Sequence, residues 1–206
     1  MKMLRVGIFG GAFAPIHKGH IAAAKAFMQQ MWLDVLFIIP TGISPHKIMD
    51  TTASAEDRLE MCRIAFRDVE GVIISDMEIK REGKSYSVDT LRELVGEDRR
   101  LFMLCGTDML LTLDTWNEIE EIFGLCYPVY IRREKDRALD KVIIEKLAEY
   151  NAQYGKNVIK IDAPVLEISS REIRDRLRRG KDVSDVMDAG VLEYIKEKGL
   201  YSDDTK

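Results

Sequence analysis

Gly10-Gly11-Ala12-Phe13-Ala14-Pro15-Ile16-His17-Lys18-Gly19-His20 is the stretch whose reading decides the fold. Before it runs Leu4-Arg5-Val6-Gly7-Ile8-Phe9, apolar and strand-like; after it comes a helix-like run over 21–31. A strand, a glycine-rich turn and a helix start, in that order, bring backbone close to a ligand because glycine carries no Cβ. The helix start adds N–H groups without intrahelical partners and the positive end of a dipole, and both suit a phosphate. Two imidazoles there can donate hydrogen bonds to phosphate oxygens. Two other readings exist. A zinc site would need a third and usually a fourth ligand, and no cysteine lies near in sequence. The bland alternative is that both histidines simply cap the helix.

Working outward, apolar β-rich runs alternate with segments of helical period. Strands are expected at 5–9, 35–39, 72–75, 101–105, 128–131 and 158–161. Helices are expected at 20–31, 55–66, 88–94, 116–123, 139–151, 170–179 and 191–198. Ser54 followed by Asp57 reads as an N-cap, weaker than a box closed by Glu or Gln. Near-continuous apolar strands between helices predict an α/β fold, a Rossmann-like doubly wound parallel sheet covered on both faces. Ligands of such sheets bind beyond the carboxyl ends of the strands, near the switch point. The distinctive polar groups fall just there: 10–20, 41–47, 106–108 and Arg132. The 206 residues suit one domain over 1–206, with 169–201 as its C-terminal helical part. Residues 41–53 are the expected mobile loop and 202–206 a frayed tail.

A net charge of −4 offers no basic field for nucleic acid. No apolar run is long enough to span a bilayer, and 4–9 is too short for a signal h-region, so no membrane partner and a cytoplasmic location are expected. Cys62, Cys105 and Cys126 lack CxxC spacing and read as reduced core thiols. The three histidines are His17, His20 and His46, all in candidate ligand segments rather than on a plain core face.

The Gly-Gly-x-Phe-x-Pro-x-His-x-Gly-His pattern resembles the HxGH nucleotidyltransferase superfamily. Ile168-Ser169-Ser170-Arg171-Glu172-Ile173-Arg174 is similar to its second signature, Ile-Ser-Ser/Thr-x-x-Ile-Arg. Three further segments resemble the bacterial nicotinate mononucleotide adenylyltransferases. They are Pro40 to Pro45-His46-Lys47, Ser85-Tyr86-Ser87-Val88-Asp89-Thr90-Leu91, and Gly106-Thr107-Asp108 with Trp116 downstream. With Tyr194-Ile195 and Leu200-Tyr201 the resemblance covers nearly the whole chain. It departs at Ala12, where the family has Thr or Ser, and at Ala14, where it has Asp or Asn. Those changes bear on rate or affinity more than on reaction class.

The resemblance implies that ATP and nicotinate mononucleotide react to give deamido-NAD and pyrophosphate, by direct in-line attack on the α-phosphate. His17 and His20 would stabilise the α-phosphate, and Lys47, Ser170 and Arg174 the β- and γ-phosphates. Mg²⁺ would come with ATP, with no protein metal site. Adenine would lie against Gly10-Gly11 and the segment ending at Ile168, with Ala12 and Phe13 among the substrate-binding residues of the turn. Gly106 and Asp108 are candidates for ribose, Trp116 for stacking on the pyridine, Ser87 for the nicotinate carboxylate and Arg132 for the mononucleotide phosphate. Another phosphorylated acceptor, or a nucleotide-binding module without turnover, are the alternatives. A homo-oligomer is compatible with the chain.

Overall fold

The computed structural model describes residues 2–45, 52–132, 138–163 and 169–202. In chain order the elements begin β1 (Leu4–Gly11), α1 (Lys18–Gln30), β2 (Val35–Pro40), α2 (Ala55–Phe66) and β3 (Val72–Ile74). There follow α3 (Met77–Lys80), α4 (Ser87–Leu94), β4 (Arg99–Gly106), α5 (Thr107–Leu110), a 3₁₀ turn (Leu113–Thr115) and α6 (Ile119–Leu125). The chain continues with β5 (Cys126–Ile131), α7 (Leu139–Tyr154), β6 (Ile159–Ile161), α8 (Ser170–Arg178) and α9 (Ala189–Glu197). The six strands form one sheet in the order β3-β2-β1-β4-β5-β6, and every pairing is parallel. Strand order reverses between β1 and β4, so the crevice beyond Gly10-Gly11 and Gly106 is the switch point.

Alternation along β4 shows why the sheet is covered twice. Leu101, Met103 and Cys105 join the core beneath α4, α6 and α7; Phe102 and Leu104 join the core beneath α1, α2, α8 and α9. Side chains on a strand point alternately to the two faces, so an unbroken apolar run needs two covering layers. On β1 the glycine at position 7 has a packing reason. A Cβ there would stand 2.3 Å from the Leu33 side chain and 3.0 Å from Phe27, so its absence lets α1 lie close on the sheet. Wholly buried Phe27 contributes roughly 2–3 kcal/mol by leaving water.

The predicted strands and long helices are present, with ends shifted by at most three residues. One boundary moves for a definite reason. The helix expected over 116–123 starts only at Ile119 and runs to Leu125, because Glu118 before it has φ +52. A left-handed residue cannot sit inside a right-handed helix. The two single-turn helices α3 and α5 were not expected; four residues hold too little periodicity to be read. Ser54 caps α2 in a closed box, its Oγ accepting from Asp57 N–H at 3.0 Å while Asp57 accepts from Ser54 N–H at 2.9 Å. All three cysteines are buried, and burial pushes the Cys126 thiol up to about 12, which makes it inert.

Candidate active site

His17 is the N-cap of α1, extended at φ −146 and ψ 170. Its Nδ1 accepts from Gly19 N–H at 3.2 Å. His20 Nδ1 accepts in turn from the His17 backbone N–H at 3.3 Å. Each imidazole therefore uses Nδ1 as an acceptor, which places the proton of the neutral ring on Nε2. The rings lie with centroids 3.8 Å apart, and His20 is braced edge-on by Phe13 at 5.2 Å. Both histidines are largely buried. The capping reading is thus realised, and it does more than close a helix: the caps fix the tautomer and orientation of two adjacent donors.

The preceding turn is clamped from outside. Arg58 Nη1 on α2 donates to the Ala12 carbonyl at 2.8 Å. Arg174 Nη1 on α8 donates to the Ala14 carbonyl at 2.6 Å, and Ser170 Oγ donates to the Pro15 carbonyl at 3.0 Å. Ser169, not Ser170, caps α8, accepting from Glu172 N–H at 3.2 Å. Buried Ile173 seats that helix in the core, so its first turn lies against the glycine-rich turn. Sequence reading singled out Ser170 and Arg174 but missed Arg58. Its signal was a charge on the buried stripe of α2, between Leu59, Met61 and Cys62. Burial lowers the Arg58 guanidinium pKa from its usual value, opposed by Tyr201, Cys62 and Glu56.

The two glycines of the turn differ. At Gly11 a Cβ would meet the Phe13 ring at 3.1 Å, so glycine lets that ring fold back. At Gly10 the nearest neighbour among the described residues, the Ile39 carbonyl, is 4.0 Å away. Among those residues no packing demand explains glycine at position 10, and the room beside its backbone suits a flat ligand group. On the reaction that the sequence resemblance implies, Gly10→Ala is expected to leave thermal stability unchanged while raising the KM for ATP roughly tenfold, the effect of about 1.4 kcal/mol of lost contact. Steady-state kinetics beside a melting curve checks this; an unchanged KM would remove Gly10 from the site.

Across the switch point, Gly106 is the extended N-cap of α5 and Asp108 lies exposed in its first turn, so Asp108 does not serve as that cap. Ser87 opens α4 behind Tyr86, which makes no side-chain cap, so the Ser87 hydroxyl is not the cap of that helix either. Trp116, half-buried, packs against the core beneath α4 and α6. Arg132 follows β5 and is ion-paired with Asp140 at the start of α7, rather than solvated. Lys47, His46 and Ile168 lie outside the described residues. The start of the loop expected to be mobile is tethered: Gly42 N–H donates to Ser85 Oγ at 3.1 Å, and Ser85 N–H to the Ile43 carbonyl at 2.8 Å. A Cβ on Gly42 would stand 2.3 Å from the Glu78 carbonyl, so only glycine allows this approach. Burial raises the pKa of the Glu78 carboxyl beneath it, against hydrogen bonds from Thr90 and Ser85.

Among the described residues no three His, Cys, Asp or Glu side chains gather as a metal site, and no helix is long and apolar enough to cross a membrane. The family model described as cytidylyltransferase-like matches residues 8–176, and this is the class that the strand order and the histidine-bearing turn define. A "probable nicotinate-nucleotide adenylyltransferase" of Desulfitobacterium hafniense (strain Y51) is 35% identical over 199 residues, covering 96% of this chain and 95% of the relative. One of the same name from Geobacter sp. (strain M21) is 37% identical over 214 residues, covering 97% and 99%. The chain belongs to the nicotinate-nucleotide adenylyltransferase family. Its fold matches that of Plasmodium falciparum nicotinic acid mononucleotide adenylyltransferase complexed with NaAD, with a TM-score of 0.75 at 19% identity over 96% of this chain and 97% of the other.

Proposed function

We propose that this chain transfers AMP from ATP to nicotinate mononucleotide, giving deamido-NAD and pyrophosphate. The observation that carries the reading is the paired imidazoles at the switch point, held by their own caps and backed by Ser170 and Arg174. A phosphate monoester is already ionised at neutral pH, so its oxygen attacks the α-phosphate in line without a protein nucleophile or a strong base. Such a transfer rests on positioning and on neutralising charge. His17 and His20 donate from Nε2 to the α-phosphate oxygens, where charge grows as the fifth bond forms. Ser170, Arg174 and Lys47 hold the β- and γ-phosphates, and the departing pyrophosphate takes its electron pair onto the bridging oxygen.

Adenine lies over Gly10-Gly11 and against Ile168, with Gly106 and Asp108 at the ribose. Ala12 and Phe13 contribute backbone N–H groups. The start of α4 at Ser87 has N–H groups without a side-chain cap, which suits the nicotinate carboxylate. Trp116 stacks on the pyridine, and Arg132 reaches the mononucleotide phosphate from its pair with Asp140. Mg²⁺ would arrive with ATP, beside the phosphates that Ser170, Arg174 and Lys47 hold. When bound it neutralises triphosphate charge. Residues 1–206 form one domain, with 169–201 its C-terminal helical part, since α8 and α9 share a core with α1 and α2.

Pyrophosphate release from ATP and Mg²⁺, with nicotinate and nicotinamide mononucleotides side by side, tests the reading. At least about a tenfold preference for the acid is expected, because an N–H-rich helix start favours a carboxylate over an amide by roughly 1.4 kcal/mol or more. Equal turnover of both would withdraw the specificity, and turnover of neither would withdraw the acceptor.

A further inference from the structure

Arg58 is a buried guanidinium with no carboxylate in contact with it among the described residues, although Glu56 acts on it through space. It is 2% exposed, and no ion pair engages it among the described residues. Its Nε is buried with no hydrogen-bond partner. Desolvating such a charge is costly, and a position that only filled the core would be better served by an apolar side chain of similar volume. Its one hydrogen bond is to the Ala12 carbonyl, 46 residues away in sequence, at 2.8 Å.

That contact has a geometric consequence. In a planar trans peptide the carbonyl of Ala12 and the N–H of Phe13 point in opposite directions. Pulling the oxygen toward α2 turns the Phe13 N–H away from α2. Phe13 has φ +46, a conformation that a bulky residue keeps only when its surroundings enforce it. Released, this peptide plane could rotate and present an oxygen where a donor is needed. Ala12 brings no hydroxyl to the turn, so its backbone donors matter more here.

We infer that Arg58 is a positioning residue for adenylyl transfer: it holds the peptide between Ala12 and Phe13 so that the Phe13 N–H faces the phosphate crevice, and it sets a positive charge behind that turn. The inference rests on the adenylyltransferase reading for its reaction, but its ATP arm stands alone. The test compares Arg58→Met and Arg58→Lys with the parent, by calorimetric ATP binding and by steady-state kinetics in each substrate. Arg58→Met is expected to keep its helical circular dichroism and to lose about thirtyfold or more in ATP affinity and in kcat/KM for ATP. Its KM for nicotinate mononucleotide should stay within about twofold. Arg58→Lys keeps the charge and one donor but not the planar fork, and a loss of about fivefold in ATP affinity is expected. Wild-type ATP affinity in either folded variant would overturn the inference, as would equal losses for both substrates, the mark of a merely structural role. If Arg58→Met does not fold, Arg58→Lys decides by the same criterion. A parent that binds ATP but does not turn over nicotinate mononucleotide would sink the proposed acceptor, while the ATP-binding comparison still judges Arg58.

Discussion

His17→Asn and His20→Asn should each fold as the parent does and lose about a hundredfold in kcat, the usual cost of removing one donor from a developing oxyanion. The choice of asparagine follows from the geometry. Its Oδ1 occupies nearly the place of imidazole Nδ1, the atom that accepts from Gly19 N–H in His17 and from the His17 N–H in His20. The cap survives, and Asn is among the best N-cap residues. What disappears is Nε2, the atom assigned to the α-phosphate. The alanine variants would lose the cap as well, at about 1 kcal/mol, and confuse the two roles. Urea unfolding of the asparagine variants beside their pyrophosphate release makes the separation. A stable variant whose kcat stays within about threefold of the parent would leave these histidines with capping alone.

Arg174→Ala is expected to lower kcat/KM for ATP by about a hundredfold with little change in the KM for nicotinate mononucleotide. The guanidinium holds the Ala14 carbonyl with Nη1, and its Nε is buried without a partner, so the group is anchored at one end beside the turn. An anchored guanidinium has already lost much of its rotamer freedom, which strengthens each further bond it makes to a triphosphate. The fold should persist, because α8 is seated in the core by buried Ile173 and capped by Ser169. Were the loss to appear equally in both substrates, Arg174 would be a structural clamp of the turn rather than a triphosphate ligand.

The histidine-bearing turn was legible because everything it needs is local: a strand, two glycines, and two histidines three residues apart at a helix start. The Ser169 to Arg174 segment was legible as a helix start, but not as a partner of residues 14 and 15, because contacts across 155 and 160 positions leave no trace in local pattern. Arg58 was overlooked for the opposite reason. A single arginine in a polar-looking helix has a solvated face as its ordinary reading, and only packing reveals that this one faces inward. The helix expected over 116–123 starts three residues late because of one backbone angle, that of Glu118, which no residue type there announced.

By itself the sequence determined the alternation of strands and helices, the double covering of the sheet and the chemistry of the first turn, since periodicity and glycine placement act over a few residues. The tertiary structure decided the strand order, with its reversal between β1 and β4, and so where the crevice lies. It also decided that α2 and α8 each send a guanidinium to the same turn, and which nitrogen of each histidine accepts from the backbone. Those outcomes depend on how helices far apart in the chain settle on a shared core, where burial and hydrogen bonds over long separations outweigh local preference.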